Sequence, residues 1–236
     1  MQVIPVLDLK DGAVVHARLG QRDQYRPIET PLALTSEPVD VARGLLSLHP
    51  FKTIYIADLD AIEGKGDNIA ALRQLRVAFS QLAFWVDNGV ADLASAQNWL
   101  DAALGHLVVG SESQKDGELV GHLAHDDRII LSLDYRGEAF LGPAQLLRNA
   151  DAWPRRVIVM TLARVGSHCG PDMDRLLAIR ARVRNKEIYA AGGVRNASDL
   201  SALAAAGIAG ALVASSLHNG ALAGTQIARL QGSTLA

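Results

Sequence analysis

Near its start the chain carries Val3-Ile-Pro-Val-Leu-Asp8-Leu-Lys-Asp-Gly12. Five apolar residues run without polar interruption, and a carboxylate follows at Asp8. A short continuous apolar run is the pattern of a strand buried on both faces of a parallel sheet. Pro5 fits if its missing N–H falls near a strand start or an edge-like position. A carboxylate at the C-terminal end of a parallel strand points into the mouth where such sheets bind ligands. The alternative is that Asp8 caps a turn over residues 10–12. The same pattern returns at Thr53-Ile-Tyr-Ile-Ala-Asp58, Leu82-Ala-Phe-Trp-Val-Asp87 and Arg128-Ile-Ile-Leu-Ser-Leu-Asp134. One such aspartate is a turn residue; four suggest a shared site.

Reading outward, strands are expected at 53–58, 82–86, 106–109, 129–133, 157–160, 187–191 and 209–213. Helical stretches alternate with them at 39–48, 68–79, 92–103, 117–124, 145–149, 172–184, 197–206 and 222–230, with Glu37-Pro38 opening the first and Asp67 or Asn68 capping the second. Eight strands alternating with eight helices close naturally as a (β/α)8 TIM barrel, a single α/β domain over residues 1–236. The competing architecture is an open doubly wound sheet, against which counts the lack of a G-x-G-x-x-G after the first strand. A long polar segment, 16–37, carries Arg18, Arg22 and Arg26. Loops of this length are usually functional or disordered, and its arginines suit closure over an anion or simple solvation.

Bulk properties are those of an ordinary globular chain. It has 236 residues, 49% hydrophobic and 20% charged, with a formal net charge of -2. No charge run implies nucleic-acid binding. No apolar stretch reaches the roughly 18 residues a membrane span needs. The lone Cys169 excludes an internal disulfide, and with no signal-like start it points to a cytoplasmic protein. The seven histidines show no zinc-like spacing; His168, in the loop after the sixth strand, is the one that merits testing. Monomer and small homo-oligomer stay equally open.

The chain also repeats itself. Asn88-Gly-Val-Ala-Asp and Val109-Gly-Ser111 correspond to Gly192-Gly-Val-Arg-Asn and Val213-Ala-Ser215. Residues 88 and 192 are 104 apart, as are 111 and 215; residues 8 and 134 are 126 apart. The 22-residue difference falls on the arginine-bearing loop, so the chain reads as two half-barrels, the first with a longer first loop. Gly192, Gly193, Ala214 and Ser215, joined by Gly166 in loop six, form a candidate phosphate cradle of backbone N–H groups and a hydroxyl. In the first half, Gly110 and Ser111 remain, but Asn88 replaces Gly192 and Asp87 precedes it. An ionised Asp87 repels phosphate and suits an amine, a hydroxyl or a cation.

Ile-Pro-Val-Leu-Asp8-Leu-Lys-Asp-Gly12, Leu-Asp134, Ala-Gly-Gly193-Val and the half-barrel repeat together resemble the histidine-biosynthesis barrel family, HisA and HisF. The resemblance covers nearly the whole chain. It implies a phosphorylated substrate, no cofactor, and Asp8 and Asp134 as the acid/base pair of an aldose–ketose isomerase or a cyclase. In the family two phosphates sit at the two glycine-rich half sites. Here the family's glycine-and-arginine segment after strand three reads Asp87-Asn-Gly-Val-Ala91, Met160-Thr-Leu162 stands where acidic and hydroxyl residues are usual, and Ala214 replaces a glycine. These departures weigh against the two-phosphate histidine substrate. Arg22-Asp-Gln-Tyr-Arg-Pro27 and Ile54 to Gly66 look like a HisA/HisF-related subfamily of methanogens and methylotrophs, associated with biosynthesis of one-carbon carrier cofactors of tetrahydromethanopterin or methanofuran type.

On that footing Asp8 is expected as base and Asp134 as acid in ring opening and an Amadori shift, with the reverse assignment open. Arg18, Asp58, Asp87, Gly110 and Ser111 are expected as further substrate contacts. Two other classes stand beside this. Asp8, Asp58, Asp87 and Asp134 together would suit Mg²⁺ in a metal-assisted lyase or synthase. The eroded first cradle would suit a non-catalytic metabolite-binding barrel.

Overall fold

The computed structural model describes residues 1–167 and 169–232. Eight parallel strands, β1 (Gln2–Lys10), β2 (Thr53–Asp58), β3 (Ala83–Asp87), β4 (His106–Gly110), β5 (Ile129–Arg136), β6 (Arg156–Thr161), β7 (Glu187–Ala191) and β8 (Gly210–Val213), pair in sequence order. β8 then pairs with β1, Gln2 opposite Gly210 and Pro5 opposite Val213, so the sheet closes into a ring. From Val6 onward β1 pairs with β2 instead. Pro5 therefore stands where β1 passes from one neighbour to the other, and its missing N–H falls at that handover.

Helices α1 (Pro38–Leu48), α2 (Ile69–Ala78), α3 (Leu93–Ala102), α4 (Glu118–Leu123), α5 (Ala144–Arg148), α6 (Met173–Arg182), α7 (Ala197–Ala205) and α8 (Gly224–Gly232) follow the strands. Asp92, Asp172 and Asn196 cap α3, α6 and α7 by accepting from first-turn N–H groups. The expectation of eight alternating pairs is met, with strand and helix limits within one or two residues almost throughout.

Strand residues alternate between two cores, as the two-residue period of a strand requires. Ile4, Tyr55, Trp85, Val108, Ile130, Ile158, Tyr189 and Leu212 point into the ring. Leu7, Ile54, Ile56, Phe84, Leu107 and Leu131 point out, against Val41, Leu45, Leu72 and Leu75 of the helices. This parity decides which strand-end carboxylates enter the barrel mouth.

Two short antiparallel strands extend the ring. Residues 13–15 fold back on β1 with Asp8 opposite Val15, and residues 139–141 fold back on β5 with Asp134 opposite Leu141. Both pairs are 126 residues apart, so the half-barrel repeat holds in register as well as in spacing. The first hairpin turns at Asp11 and Gly12, both with positive φ, 51° and 79°, the conformation that makes Asp-Gly a hairpin signal.

Asp58 lies on the outward parity of β2. Its carboxylate accepts from Ala61 N, Asn68 N and the Asn68 side-chain amide. That amide also donates to Asp60, and its oxygen accepts from Gly12 N at 2.8 Å. Asn68 therefore locks the β1 hairpin to the loop after β2, and Asp67, not Asn68, accepts from the α2 N-terminus. Asn68→Ala removes one donor from each of two buried carboxylates and leaves the Gly12 N–H without its acceptor. It is expected to cost about 3 kcal/mol, read as a shift in urea unfolding midpoint at unchanged slope.

Candidate functional site

The C-terminal ends of the strands open on one cleft, at the face on which (β/α)8 barrels carry their sites. Asp8 of β1, Asp87 of β3 and Asp134 of β5 all lie on the inward parity and all line it, with Arg22, Tyr25, Tyr55 and Glu112. Gly166, Gly192, Gly193, Ala214 and Ser215, which follow β6, β7 and β8, form a second wall of it.

Asp134 is held most tightly. Ser132 Oγ donates to Oδ1 at 2.6 Å, and Glu112 N and Ser111 Oγ both lie 3.1 Å from Oδ2. The Asp134 N–H in turn donates to Ser111 Oγ. Burial pushes its carboxyl up to about 6, against these hydrogen bonds, which favour the anion. Asp8 has no comparable set of donors. Burial pushes it to about 7, opposed by Arg22. Asp87 rises furthest, to about 8, because burial acts together with the neighbouring Asp134 charge; the N–H of Gly89 opposes both. A Cβ on Gly110 would lie 2.9 Å from Asp87 Oδ2 and 3.4 Å from Asp134 Oδ2. The glycine at the end of β4 thus makes the room in which the two acids approach.

Arg22 is the cation of this lining. It belongs to the long loop after β1 and forms an ion pair with Glu112, from the loop after β4. The same loop bonds across the mouth to the segment after β6, Leu19 N to Val165 O at 2.8 Å. It arches over the cleft and drops one guanidinium into it.

The glycine wall is built by close backbone approach. Gly192 and Gly193 have φ of 99° and 87°; a Cβ would meet Thr161 O at 2.6 Å and Gly170 O at 2.2 Å. A one-turn helix starts at Ser215, so its leading N–H groups lack intrahelical acceptors.

Of the residues expected from the sequence, Asp8, Asp134, Asp87 and the five cradle positions meet in this cleft. Arg18 is exposed outside the lining, and its place is taken by Arg22, four residues further along the loop. Asp58 is turned out of the barrel, so the four-carboxylate set imagined for Mg²⁺ is not assembled; among the described residues no group of three or more His, Cys, Asp or Glu side chains is placed to hold a metal. Gly110 and Ser111 act behind Asp87 and Asp134, not on the cleft surface. His168 lies outside the described residues. Arg164 spends its guanidinium on the carbonyls of Gly170 and Pro171. Tyr55 and Glu112 were not anticipated. Tyr55 was legible: it lies two residues before Ala57, which is the register partner of both Asp8 and Asp87.

The raised carboxyls set a pH dependence of stability. Each ordinarily titrates near 3.8 and titrates higher when folded. The folded state therefore binds protons more tightly, and this contribution, full below about pH 4, is lost as pH rises towards 8. Asp87→Asn removes the largest share. Its melting temperature is expected to exceed that of the parent by roughly 2–4 °C at pH 8, about what 1 kcal/mol moves in a domain of this size, with the gap closing at pH 4. Thermal melts of both proteins across that range test it.

Sequence comparison agrees with this architecture. A profile described as "Histidine biosynthesis protein" matches residues 2–223. The chain is 31% identical over 228 residues to an uncharacterized protein of Methanocaldococcus jannaschii, covering 94% of this chain and 95% of that one. It is 30% identical over 236 residues to the 1-(5-phosphoribosyl)-5-((5-phosphoribosylamino)methylideneamino)imidazole-4-carboxamide isomerase of Deinococcus radiodurans, covering 94% and 95%. The isomerase of the same name from Rhodospirillum rubrum is 30% identical over 237 residues, covering 93% and 95%. With a closed eight-stranded barrel and a profile match along nearly its whole length, the chain belongs to the histidine-biosynthesis (HisA/HisF) barrel family.

Proposed function

We propose that this protein is an aldose–ketose isomerase acting on a phosphorylated sugar, with Asp8 and Asp134 as its proton-transfer pair. One observation carries the reading. Two inward carboxyls, from strands on opposite sides of the ring, share one cleft and titrate near neutrality. That is the range in which a side chain both gives and takes protons at useful rates. Ring opening needs a proton on the ring oxygen, and the shift that follows needs one removed from the adjacent carbon. The hydrogen bonds that Ser132 Oγ and Glu112 N donate to Asp134 favour its carboxylate, whereas Asp8 lacks such donors. We therefore give Asp134 the base role and Asp8 the acid role, the reverse of the order expected from sequence.

The substrate phosphate is assigned to the wall of Gly166, Gly192, Gly193, Ala214 and Ser215. Backbone there comes close without side chains, and a helix turn opens at Ser215. The two named isomerases act on a substrate with two phosphoribosyl groups; the acidic wall at Asp87 supports a different substrate for this chain. The resemblance of 22–27 and 54–66 to the one-carbon-cofactor subfamily supports a place in that biosynthesis.

Asp8→Asn and Asp134→Asn are each expected to lower kcat by about 10²–10⁴-fold with the fold intact by circular dichroism. Phosphorylated aldoses, including the bis-phosphoribosyl imidazole-carboxamide of the relatives, serve as test substrates. The parent's kcat/KM should follow a bell with limbs near pH 6 and 7, the acid limb belonging to Asp134. Full activity in either variant on a substrate the parent turns over would overturn the assignment. A chelator should leave the rate unchanged.

A further inference from the structure

We infer that the cleft is built for a phosphate ester whose far end carries a protonated nitrogen in place of a second phosphate: the phosphate against Gly192, Gly193 and Ser215, the ammonium against Asp87. This deepens the reading above and rests on its phosphate wall.

The half-barrel repeat gives each position of that wall a counterpart. At intervals of 104, Gly192 maps to Asn88, Ala191 to Asp87, and the residue after Ser215, Ser216, to Glu112. Where one pole offers small residues and backbone, the other offers two carboxyls. The cleft lining as a whole holds four acids, Asp8, Asp87, Glu112 and Asp134, against the single guanidinium of Arg22. That guanidinium is already paired with Glu112. A second phosphate at this pole would meet carboxyls that tolerate it only while they hold their protons, and no uncommitted cation in the lining.

Asp87 is itself incomplete. It is only 6% exposed, it lines the cavity, and Gly89 N reaches only Oδ1. Oδ2 accepts no hydrogen bond among the described residues, and it faces the gap left by Gly110. A nearly buried carboxyl oxygen with no donor, opening on a cavity, has the geometry to receive an N–H group from a ligand. The groups that face Asp87 are Asp134 from β5, Glu112 from the loop after β4, Tyr55 from β2, Arg22 from the arch and the Gly89 N–H. Only Arg22 and this N–H favour its charged form. An arriving ammonium would add to them and draw off the Asp87 proton.

The test is calorimetric, on the full chain at pH 7. The probes are ω-aminoalkyl phosphates of increasing length, with alkyl monophosphates and α,ω-bisphosphates of the same lengths. At the best length the amine ester is expected to bind about tenfold more tightly than the monophosphate, and the bisphosphate no more tightly than the monophosphate. Titrations in buffers of different ionisation enthalpy should show proton release with the amine ester alone. Asp87→Asn should abolish both the preference and the proton release while leaving monophosphate affinity unchanged. A bisphosphate preferred at any length would overturn the inference, since Arg22 would then leave Glu112 to serve a second anion. So would an amine preference that survives in Asp87→Asn. Monophosphate binding without any amine preference sinks this inference alone; no binding of any phosphate ester sinks the phosphate wall as well.

Discussion

Closure of the ring governs everything at its mouth. Gly210 opposite Gln2 starts the seam. A Cβ there would press on the Tyr189 ring at 2.7 Å and on Gln2 O at 2.8 Å. Once β8 meets β1, each strand has one face in the barrel and one face under a helix, and no free edge remains. Parity then becomes a chemical decision. Asp8, Asp87 and Asp134 fall inside, where water is scarce and a carboxyl keeps its proton to higher pH. Asp58, which reads the same along the chain, falls outside and becomes a structural acceptor for Asn68.

The repeat explains how a symmetric scaffold carries an asymmetric site. Both halves preserve the strand, the hairpin that folds back on it and the capped helix that follows the glycine turn, down to Asp92 and Asn196 at matching N-caps. These parts are set by backbone geometry and tolerate little change. Asp87 against Ala191 and Glu112 against Ser216 are set by side chain alone. The halves differ where side chains meet the cleft and agree where backbones must fit.

Most of the fold was legible because each strand is a bounded apolar run and each helix has its own punctuation. Asp58 was misplaced because a run buried on both faces hides its parity; only counting by twos from Tyr55 and Ala57 shows that Asp58 is out of phase. The hairpin at 13–15 escaped because three residues make no pattern, although Asp11-Gly12 marked its turn. In the sequence Ser111 reads as a ligand contact, because a hydroxyl after a glycine looks alike whether it meets a phosphate or the carboxylate of Asp134. The preference for Arg18 over Arg22 had no local remedy. A loop without periodicity does not say which of its side chains turns inward, and Glu112, 90 residues away, makes that choice.

That loop is the one large departure from symmetry. Twenty-two residues separate Val15 from Pro38, but only two separate Leu141 from Ala144. The second half goes straight from its hairpin into α5, while the first half throws an arch across the mouth. Fastened beside Gly166 at one end of its span, the arch delivers a cation to the acidic pole at the other. Without Arg22, Glu112 would stand beside Asp87 and Asp134 with no opposite charge between them. The rises of the Asp8 and Asp87 carboxyls, which Arg22 opposes, would then go unopposed by any cation. The longer first loop is therefore more than a cover: it biases Asp8 and Asp87 towards their charged forms.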